Sequence, residues 1–439
     1  MARRAPARAG LKENSSGRGQ LPAMQTPAHS QRLMAAVREG SWLTPGRVRG
    51  YAIILLLAYA GALGFLVFTA TGNLDFMGRP LGTDFADVWT AGKLAISGHP
   101  ALAYDPPAHY AAQQAAFGRA APYYGWHYPP FFLLAASALA RLPYAAAVLA
   151  WQAATLPLYL LAMRAAAPRR ETLLMALAFP GVYLNLTHGQ NGFLSAALIT
   201  GGLLLLDRRP LVAGMLFGLV AYKPQFGVYL PLLLLATGRW RAFAAAAATV
   251  LGLAGAATLA FGPQIWPAFI GNMAFTRHEV LEQGGTGFHK IQSVFAAVRL
   301  WGGPIGLAYV AQAAVTLAAG VGLIVLWRRP ADARLKGAAL LAGSLLATPY
   351  CLDYDLMLLG PALALYAAYG LERGFRPFEA SLLAFVFFAP AITRESAHAL
   401  LIPVGLIATL TLFAMVLRRG LQPAGGAAPS LTLERAVAA

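Results

Sequence analysis

The stretch "YAIILLLAYAGALGFLVFTAT", residues 51–71, is an uncharged apolar run long enough to cross a lipid bilayer. It is longer than the core of a typical signal peptide, and no suitable cleavage site follows it. We therefore expect this run to stay in the protein as a first transmembrane helix.

The composition extends this expectation to the whole chain. Of 439 residues, 58% are hydrophobic and only 12% are charged, which excludes a soluble domain with a polar surface. The net charge of +17 comes from Lys and Arg placed as short pairs between apolar runs, so it indicates membrane topology rather than nucleic-acid binding. The single cysteine, Cys351, cannot form an intrachain disulfide, and we expect it to pack as a small apolar residue.

The basic pairs predict the path of the chain across the membrane. Arg47 and Arg49 precede the first helix, which places the N-terminus in the cytoplasm and residues 72–143 outside. Within that segment, the apolar run 128–143 is short and has prolines near both ends, so we expect a re-entrant or interfacial helix.

The remaining apolar runs predict an all-α polytopic membrane protein with about twelve spans and both termini in the cytoplasm. Several runs have only about 12 to 15 apolar residues, which favours a deep opening on the outer side. We expect residues 1–50 to be a disordered basic tail and 51–418 to be the transmembrane domain, with 419–439 as a cytoplasmic tail. The predicted spans are 51–71, 144–164, 172–187, 191–207, 210–223, 226–237, 241–262, 304–327, 337–350, 354–370, 378–392 and 398–417.

Polar residues gather on the predicted outer side, whereas the cytoplasmic loops are short and basic. A transporter is expected to place polar groups near the middle of its spans, and these spans are nearly free of charge. The outer segments are "GTDFADVW" (82–89), "THGQNG" (187–192), "YKPQ" (222–225), "TRHEVLEQGGTGFHKIQS" (276–293), "YCLDYD" (350–355) and "TRESAH" (393–398).

Several of these motifs together resemble one known family. "GTDFADVWTAGKLAISGHPALAYD", followed by "WHYPPFFLLAASALARLP" and then by "GQN", "KPQ" and "QSVFAAVR", is similar to bacterial glycosyltransferase family 87, a branch of the C-type membrane glycosyltransferases. The resemblance implies a polytopic helical fold whose first outer loop carries interfacial helices and a catalytic aspartate, here Asp84. It also implies a polyprenyl-phosphate sugar donor, often carrying mannose.

The chemistry of the outer side fits such a donor. Nucleotide sugars are made in the cytoplasm, so an outward-facing enzyme needs a sugar already attached to a lipid phosphate. Inverting transfer requires a base such as Asp84 to take the proton from the acceptor hydroxyl. Lys223, His289 and Lys290 are candidates to hold the charge of the leaving phosphate.

Each assignment has a structural alternative. Asp84 could only cap the helix that begins near Phe85, and Lys223 could only extend its ammonium group to the membrane surface. The Gly-rich segment before Lys290 could be a flexible connector, and the aromatic residues near "YYGWHYPP" could form an interfacial belt. Further candidates for substrate binding are Asp87, His188, Gln190, Asn191, Gln292, Tyr350 and Asp353.

The sequence thus predicts a hexosyltransferase of the bacterial inner membrane that acts on an outer glycolipid or glycan, with the bilayer as its setting and no nucleic-acid partner. We expect no required metal and no cofactor, since no HExxH motif is present and the "DYD" stretch at 353–355 lies far along the chain from Asp84. A lipid or solute transporter, or flippase, is the main alternative, and a non-catalytic membrane scaffold is a third.

Overall fold

The structure is a computed structural model that describes residues 1–2 and 28–422. Its described part is built from α-helices joined by short 3₁₀ turns and loops. The first ten α-helices are α1 (Ala28–Glu39), α2 (Pro45–Phe68), α3 (Phe85–Ile96), α4 (Pro106–Phe117), α5 (Pro130–Leu139), α6 (Tyr144–Ala166), α7 (Thr172–Ala178), α8 (Pro180–His188), α9 (Gly192–Leu205) and α10 (Pro210–Leu219). The others are α11 (Tyr229–Ala236), α12 (Trp240–Phe261), α13 (Ile265–Phe275), α14 (Val294–Leu300), α15 (Ile305–Arg328), α16 (Ala333–Leu346), α17 (Leu359–Arg373), α18 (Glu379–Leu400) and α19 (Val404–Leu421).

Long apolar helices identify a multi-pass membrane protein. Between residues 28 and 422, seven helical segments are long and apolar enough to cross a bilayer. Shorter apolar helices lie between them, so the count of twelve spans remains a prediction. The seven segments are Pro45–Phe68, Tyr144–Ala166, Trp240–Phe261, Ile305–Arg328, Asp353–Arg373, Glu379–Leu400 and Val404–Leu421.

Proline interrupts the shorter helices. Phe179 is extended between α7 and α8 because the following residue, Pro180, disfavours helical backbone before it. Lys223 and Pro224 separate α10 from α11 in the same way, with one 3₁₀ turn on each side of the break. Such breaks are tolerated at membrane depth where the backbone lies inside protein or against a cavity.

The loops rich in arginine meet at one end of the helix bundle, which we call the basic end. Consecutive long helices run alternately toward it and away from it, as the spacing of the basic pairs predicts. Four ion pairs join its loops: Arg49 with Glu171, Arg239 with Asp207, Arg334 with Glu372, and Arg419 with Glu379.

The prediction of disorder through residue 50 is wrong for residues 28–50, which are mostly helical. The indole of Trp42 donates a hydrogen bond to Ser381 at 2.8 Å, and the Ser381 hydroxyl donates to the carbonyl of Val37. These bonds hold α1 against α18, although the segment has no long apolar run. Residues 3–27 of the predicted tail lie outside the described residues. At the other terminus α19 continues to Leu421, and residues 423–439 also lie outside them.

The segment 72–143 connects the ends of α2 and α6 that lie away from the basic end. It contains α3, α4 and α5, and α5 is too short to span a bilayer. A Cβ on Gly92 would lie 2.1 Å from the carbonyl oxygen of Ala136, so only glycine permits the close approach of α3 to α5. The Tyr144 hydroxyl donates to the carbonyl of Leu81 at 2.6 Å and ties this segment to the start of α6.

Candidate active site

A cavity of about 640 Å³ lies where the segment 72–143 meets the helix ends opposite the basic end. Residues from α3, the α8–α9 turn, the break between α10 and α11, and α18 all face it. The charged residues in its lining are Arg79, Asp84, Asp87, Lys223, Arg277, Lys290 and Arg394.

Asp84 precedes the first residue of α3, but its side chain makes no capping hydrogen bond to the helix. The carboxylate instead accepts a hydrogen bond from the Gln190 side-chain amide at 2.9 Å. The arrangement therefore lacks the bond on which the capping alternative depends. Asp84 presents a carboxylate that is held at one oxygen and lies in the wall of the cavity.

Asp87 lies one turn further along α3 and is 5% exposed. Its Oδ1 atom is buried without a hydrogen-bond partner among the described residues. Burial, together with the nearby charge of Asp84, raises the pKa of Asp87 well above its usual range. Burial at this position therefore disfavours the charged form of Asp87.

The turn His188–Gly189–Gln190 connects two parts of the site. Gly189 has a φ of +60°, and a Cβ there would lie 2.5 Å from the Cβ of Phe85, so the turn requires glycine. The His188 Nδ1 atom lies 2.9 Å from the Leu184 carbonyl oxygen, which makes Nδ1 the protonated nitrogen. Nε2 is then free to accept from the Arg394 guanidinium at 3.2 Å.

Asn191 lies behind the cavity lining. Its side-chain amide donates to the Tyr128 hydroxyl at 2.7 Å, and Tyr128 itself faces the cavity. Asn191 therefore does not line the cavity itself but holds the hydroxyl group of Tyr128, which does.

Lys223 forms a buried ion pair with Asp355, with 2.7 Å between Nζ and Oδ1. The two side chains are 6% and 2% exposed, and the ammonium group lies 5.1 Å from the centre of the Tyr354 ring. Asp355 was not among the predicted site residues. The pairing neutralises Lys223, although its side chain still borders the cavity.

Arg394 is a cavity residue that the sequence-based assignment missed. Its Nε donates to Asp353 at 2.6 Å, and its side chain is 31% exposed whereas Asp353 is fully buried. The sequence signal that could have found it is an arginine at the outer end of an otherwise apolar predicted span, where a charge is costly unless it is paired or functional. Asp353, a predicted substrate-binding residue, instead lies behind the lining and holds Arg394.

The remaining candidates are His289, Lys290, Gln292 and Tyr350. Lys290 and Tyr350 line the cavity. Gln292 lies behind them, accepts a hydrogen bond from Thr393 at 2.7 Å and donates to the carbonyl of His289, which joins this part of the site to α18. His289 also lies outside the lining.

One part of the cavity wall, Thr276–Glu282, is a π-helix at the start of the predicted outer segment 276–293. The Thr276 hydroxyl and the His127 Nδ1 atom are 2.8 Å apart, and both residues face the cavity. Short π-helical turns are frequent at functional sites. In the described chain, no group of three or more His, Cys, Asp or Glu side chains is placed to hold a metal ion.

The fold and the cavity define a multi-pass helical membrane protein with carboxyl and cationic groups collected at one end of its bundle. The glycosyltransferase family 87 profile matches residues 126–349, about half of the chain. The chain belongs to glycosyltransferase family 87, which confirms the resemblance noted in the sequence. Comparison with curated proteins gave no match, and comparison with solved structures gave none either.

The matched segment contains part of the site. It includes the His188–Gly189–Gln190 turn and Lys290, whereas Asp84, Asp87 and Arg394 lie outside it. The family match therefore supports glycosyl transfer without assigning the base.

Proposed function

We propose that this glycosyltransferase moves a hexose, with mannose the favoured sugar, from a polyprenyl-phosphate carrier to a glycolipid or glycan acceptor on the outer face of the bacterial plasma membrane. Asp84 is the general base in this proposal. The observation that carries it is the Asp84 carboxylate in the cavity wall, held by Gln190 at 2.9 Å and free of any helix-capping bond.

The position of the cavity supports a lipid-linked donor. It lies at the end of the bundle opposite the arginine-rich loops, and the positive-inside rule places such loops in the cytoplasm. Nucleotide sugars made in the cytoplasm would not reach that end. A sugar on a lipid phosphate would reach it, with the prenyl chain remaining in the bilayer.

The chemistry is a single displacement. Asp84 takes the proton of the acceptor hydroxyl while that oxygen bonds to the anomeric carbon, and the bond from the anomeric carbon to the phosphate oxygen breaks. The configuration at the anomeric carbon inverts. The phosphate leaves with the electron pair, and its growing negative charge needs nearby cationic groups.

The substitution Asp84→Asn tests the base. Asn keeps the shape of the side chain and can still accept from Gln190, but it cannot take a proton. Transfer from purified polyprenyl-phosphate mannose should fall by about 10²- to 10⁴-fold at unchanged protein yield. Asp87→Asn is the matched control, and we expect it to lower activity less.

Two outcomes would contradict the proposal. Near-normal transfer by Asp84→Asn would exclude Asp84 as the base, and an inactive Asp87→Asn beside an active Asp84→Asn would reverse the two roles. Turnover of a nucleotide sugar by the purified protein, without any lipid-phosphate donor, would exclude the proposed donor class.

A further inference from the structure

Four basic side chains lie together beside the cavity, and we call Arg394, Lys290, His289 and His398 the basic cluster. Arg394 and Lys290 line the cavity. The rings of His289 and His398 are 5.0 Å apart, in an edge-to-face arrangement. Lys290 follows His289 in the chain, and Arg394 lies one turn before His398 on α18, so the contact between the two rings brings both cations to one side of the cavity. Burial and the neighbouring charges lower the pKa of His289.

The basic cluster keeps net positive charge, in contrast to two other cations in the lining. Lys223 is paired with Asp355, and Arg79 with Asp75. Lys290 forms no ion pair within residues 28–422. Asp353 neutralises only one charge of the cluster, and both of its oxygens are already used, by Arg394 and by the Tyr354 backbone N–H.

Arg394 has hydrogen-bonding capacity left for a ligand. Its Nε and Nη2 atoms are engaged with Asp353 and His188. The Nη1 atom makes no hydrogen bond to any other part of the described chain. A guanidinium held on one edge and open on the other is well suited to bind a phosphoryl group.

The charge on the lipid phosphate changes during transfer. The donor is a phosphodiester with one negative charge, and the leaving product is a phosphomonoester whose second ionisation lies near pH 6. A site in which two permanent cations outweigh one carboxylate can stabilise the second negative charge better than a site whose cations are all ion-paired.

We propose that the basic cluster is a phosphoryl subsite that binds the spent lipid phosphomonoester more tightly than the phosphodiester donor. This inference rests on the proposed lipid-phosphate donor. The cluster then favours the bond breaking, in which negative charge moves onto the phosphate. It also makes the spent carrier a product inhibitor.

Direct binding measurements test this subsite without requiring turnover. The purified full-length protein in non-ionic micelles at pH 7.5 is titrated with dodecyl phosphate, with its methyl diester and with inorganic phosphate. We expect the monoester to bind about tenfold more tightly than the diester, on the scale of one charge-assisted hydrogen bond. Inorganic phosphate should bind more weakly than dodecyl phosphate because it has no chain.

Variants locate the preference. Lys290→Gln should reduce the ratio of monoester to diester affinity toward one, and Arg394→Gln should do the same. Arg394→Gln leaves the buried Asp353 without its ion-pair partner, so this variant could lose affinity by misfolding. Lys290→Gln breaks no described ion pair and is free of that complication. Arg277→Gln is the matched control, because Arg277 lines the same cavity outside the cluster with a side chain that is 67% exposed.

The outcomes separate this inference from the proposed function. Equal affinities for the two esters in the unmodified protein, or a ratio that neither cluster variant changes, would overturn the subsite. Inorganic phosphate binding as tightly as dodecyl phosphate would refute its assignment to a lipid. A clear monoester preference in a protein that transfers no sugar from any lipid phosphate would support the subsite and refute the donor.

Discussion

The buried pair Lys223–Asp355 allows a quantitative test of how the cavity wall is stabilised. Lys223→Met removes the ammonium group and keeps a long, flexible side chain at the break between α10 and α11. The Asp355 carboxylate would then be left at 1% exposure with one remaining hydrogen bond, from the Leu352 backbone N–H at 2.9 Å. A buried charge without its partner is costly because little water reaches it.

The expected cost follows from this geometry. Removing one partner of a buried ion pair lowers the free energy of unfolding by about 3–5 kcal/mol. The double variant Lys223→Met/Asp355→Asn removes both charges, and Asn still offers a side-chain oxygen to the Leu352 N–H. We expect the double variant to recover most of the lost stability.

Reversible unfolding in mixed detergent micelles, followed by tryptophan fluorescence, measures these free energies. The three proteins are compared in identical micelles, and sugar transfer is assayed in parallel. A loss below about 1 kcal/mol in Lys223→Met would refute the reasoning, since that is the scale of an exposed pair. A stable but inactive double variant would instead show that transfer requires the charges of the Lys223–Asp355 pair.

Three further predictions concern the turn, the acid and the topology. Gly189→Ala should destabilise the protein and lower transfer more than Gly72→Ala does in the same unfolding and transfer assays. Gly72 is the control because it has a similar φ of +62° but open space around it, so equal effects of the two substitutions would contradict the role of the close contact at Gly189. The pKa of Asp87 is raised in the folded state, so its stabilising contribution is full below about pH 4 and is lost as pH rises through the folded pKa. The free energy of unfolding of the unmodified protein, measured relative to Asp87→Asn, should therefore fall by up to about 1.4 kcal/mol per pH unit between pH 4 and the folded pKa and stay constant above it, and a pH-independent difference would exclude burial of a neutral acid. In intact cells, Ala111→Cys should react with an impermeant thiol reagent and Ala333→Cys should not. The reverse labelling would show that the protein has the opposite orientation in the membrane.

The helical architecture could be predicted from the sequence because membrane burial imposes long apolar runs. The basic pairs also gave the alternating direction of these runs, as the ion pair Arg49–Glu171 and its counterparts at the basic end illustrate. The packing of α1 on α18 could not be predicted, since it depends on hydrogen bonds between residues such as Trp42 and Ser381, 339 positions apart. The π-helix at Thr276–Glu282 has no periodic signal of its own.

Part of the candidate site could also be predicted from the contrast between polar and apolar residues. Polar residues in apolar surroundings mark a cavity, which is why seven predicted residues lie in its lining: Asp84, Asp87, His188, Gln190, Lys223, Lys290 and Tyr350. Pairings across the fold were not predictable. The sequence does not show that Asp355 neutralises Lys223 or that Asp353 lies behind Arg394, because each contact joins segments from distant parts of the chain.

The His188–Gly189–Gln190 turn determines how the cavity can adapt to substrates of different size. Gln190 holds Asp84 and His188 contacts Arg394, so the partners of the proposed base and of the proposed phosphoryl ligand are two residues apart and at most about 7 Å along the backbone. A tilt of α8 would displace both partners together and leave their spacing unchanged. We therefore expect a bulkier acceptor to be accommodated at the part of the wall formed by residues 276–286, outside both the turn and the basic cluster, so that the choice of acceptor is separable from the spacing of these groups.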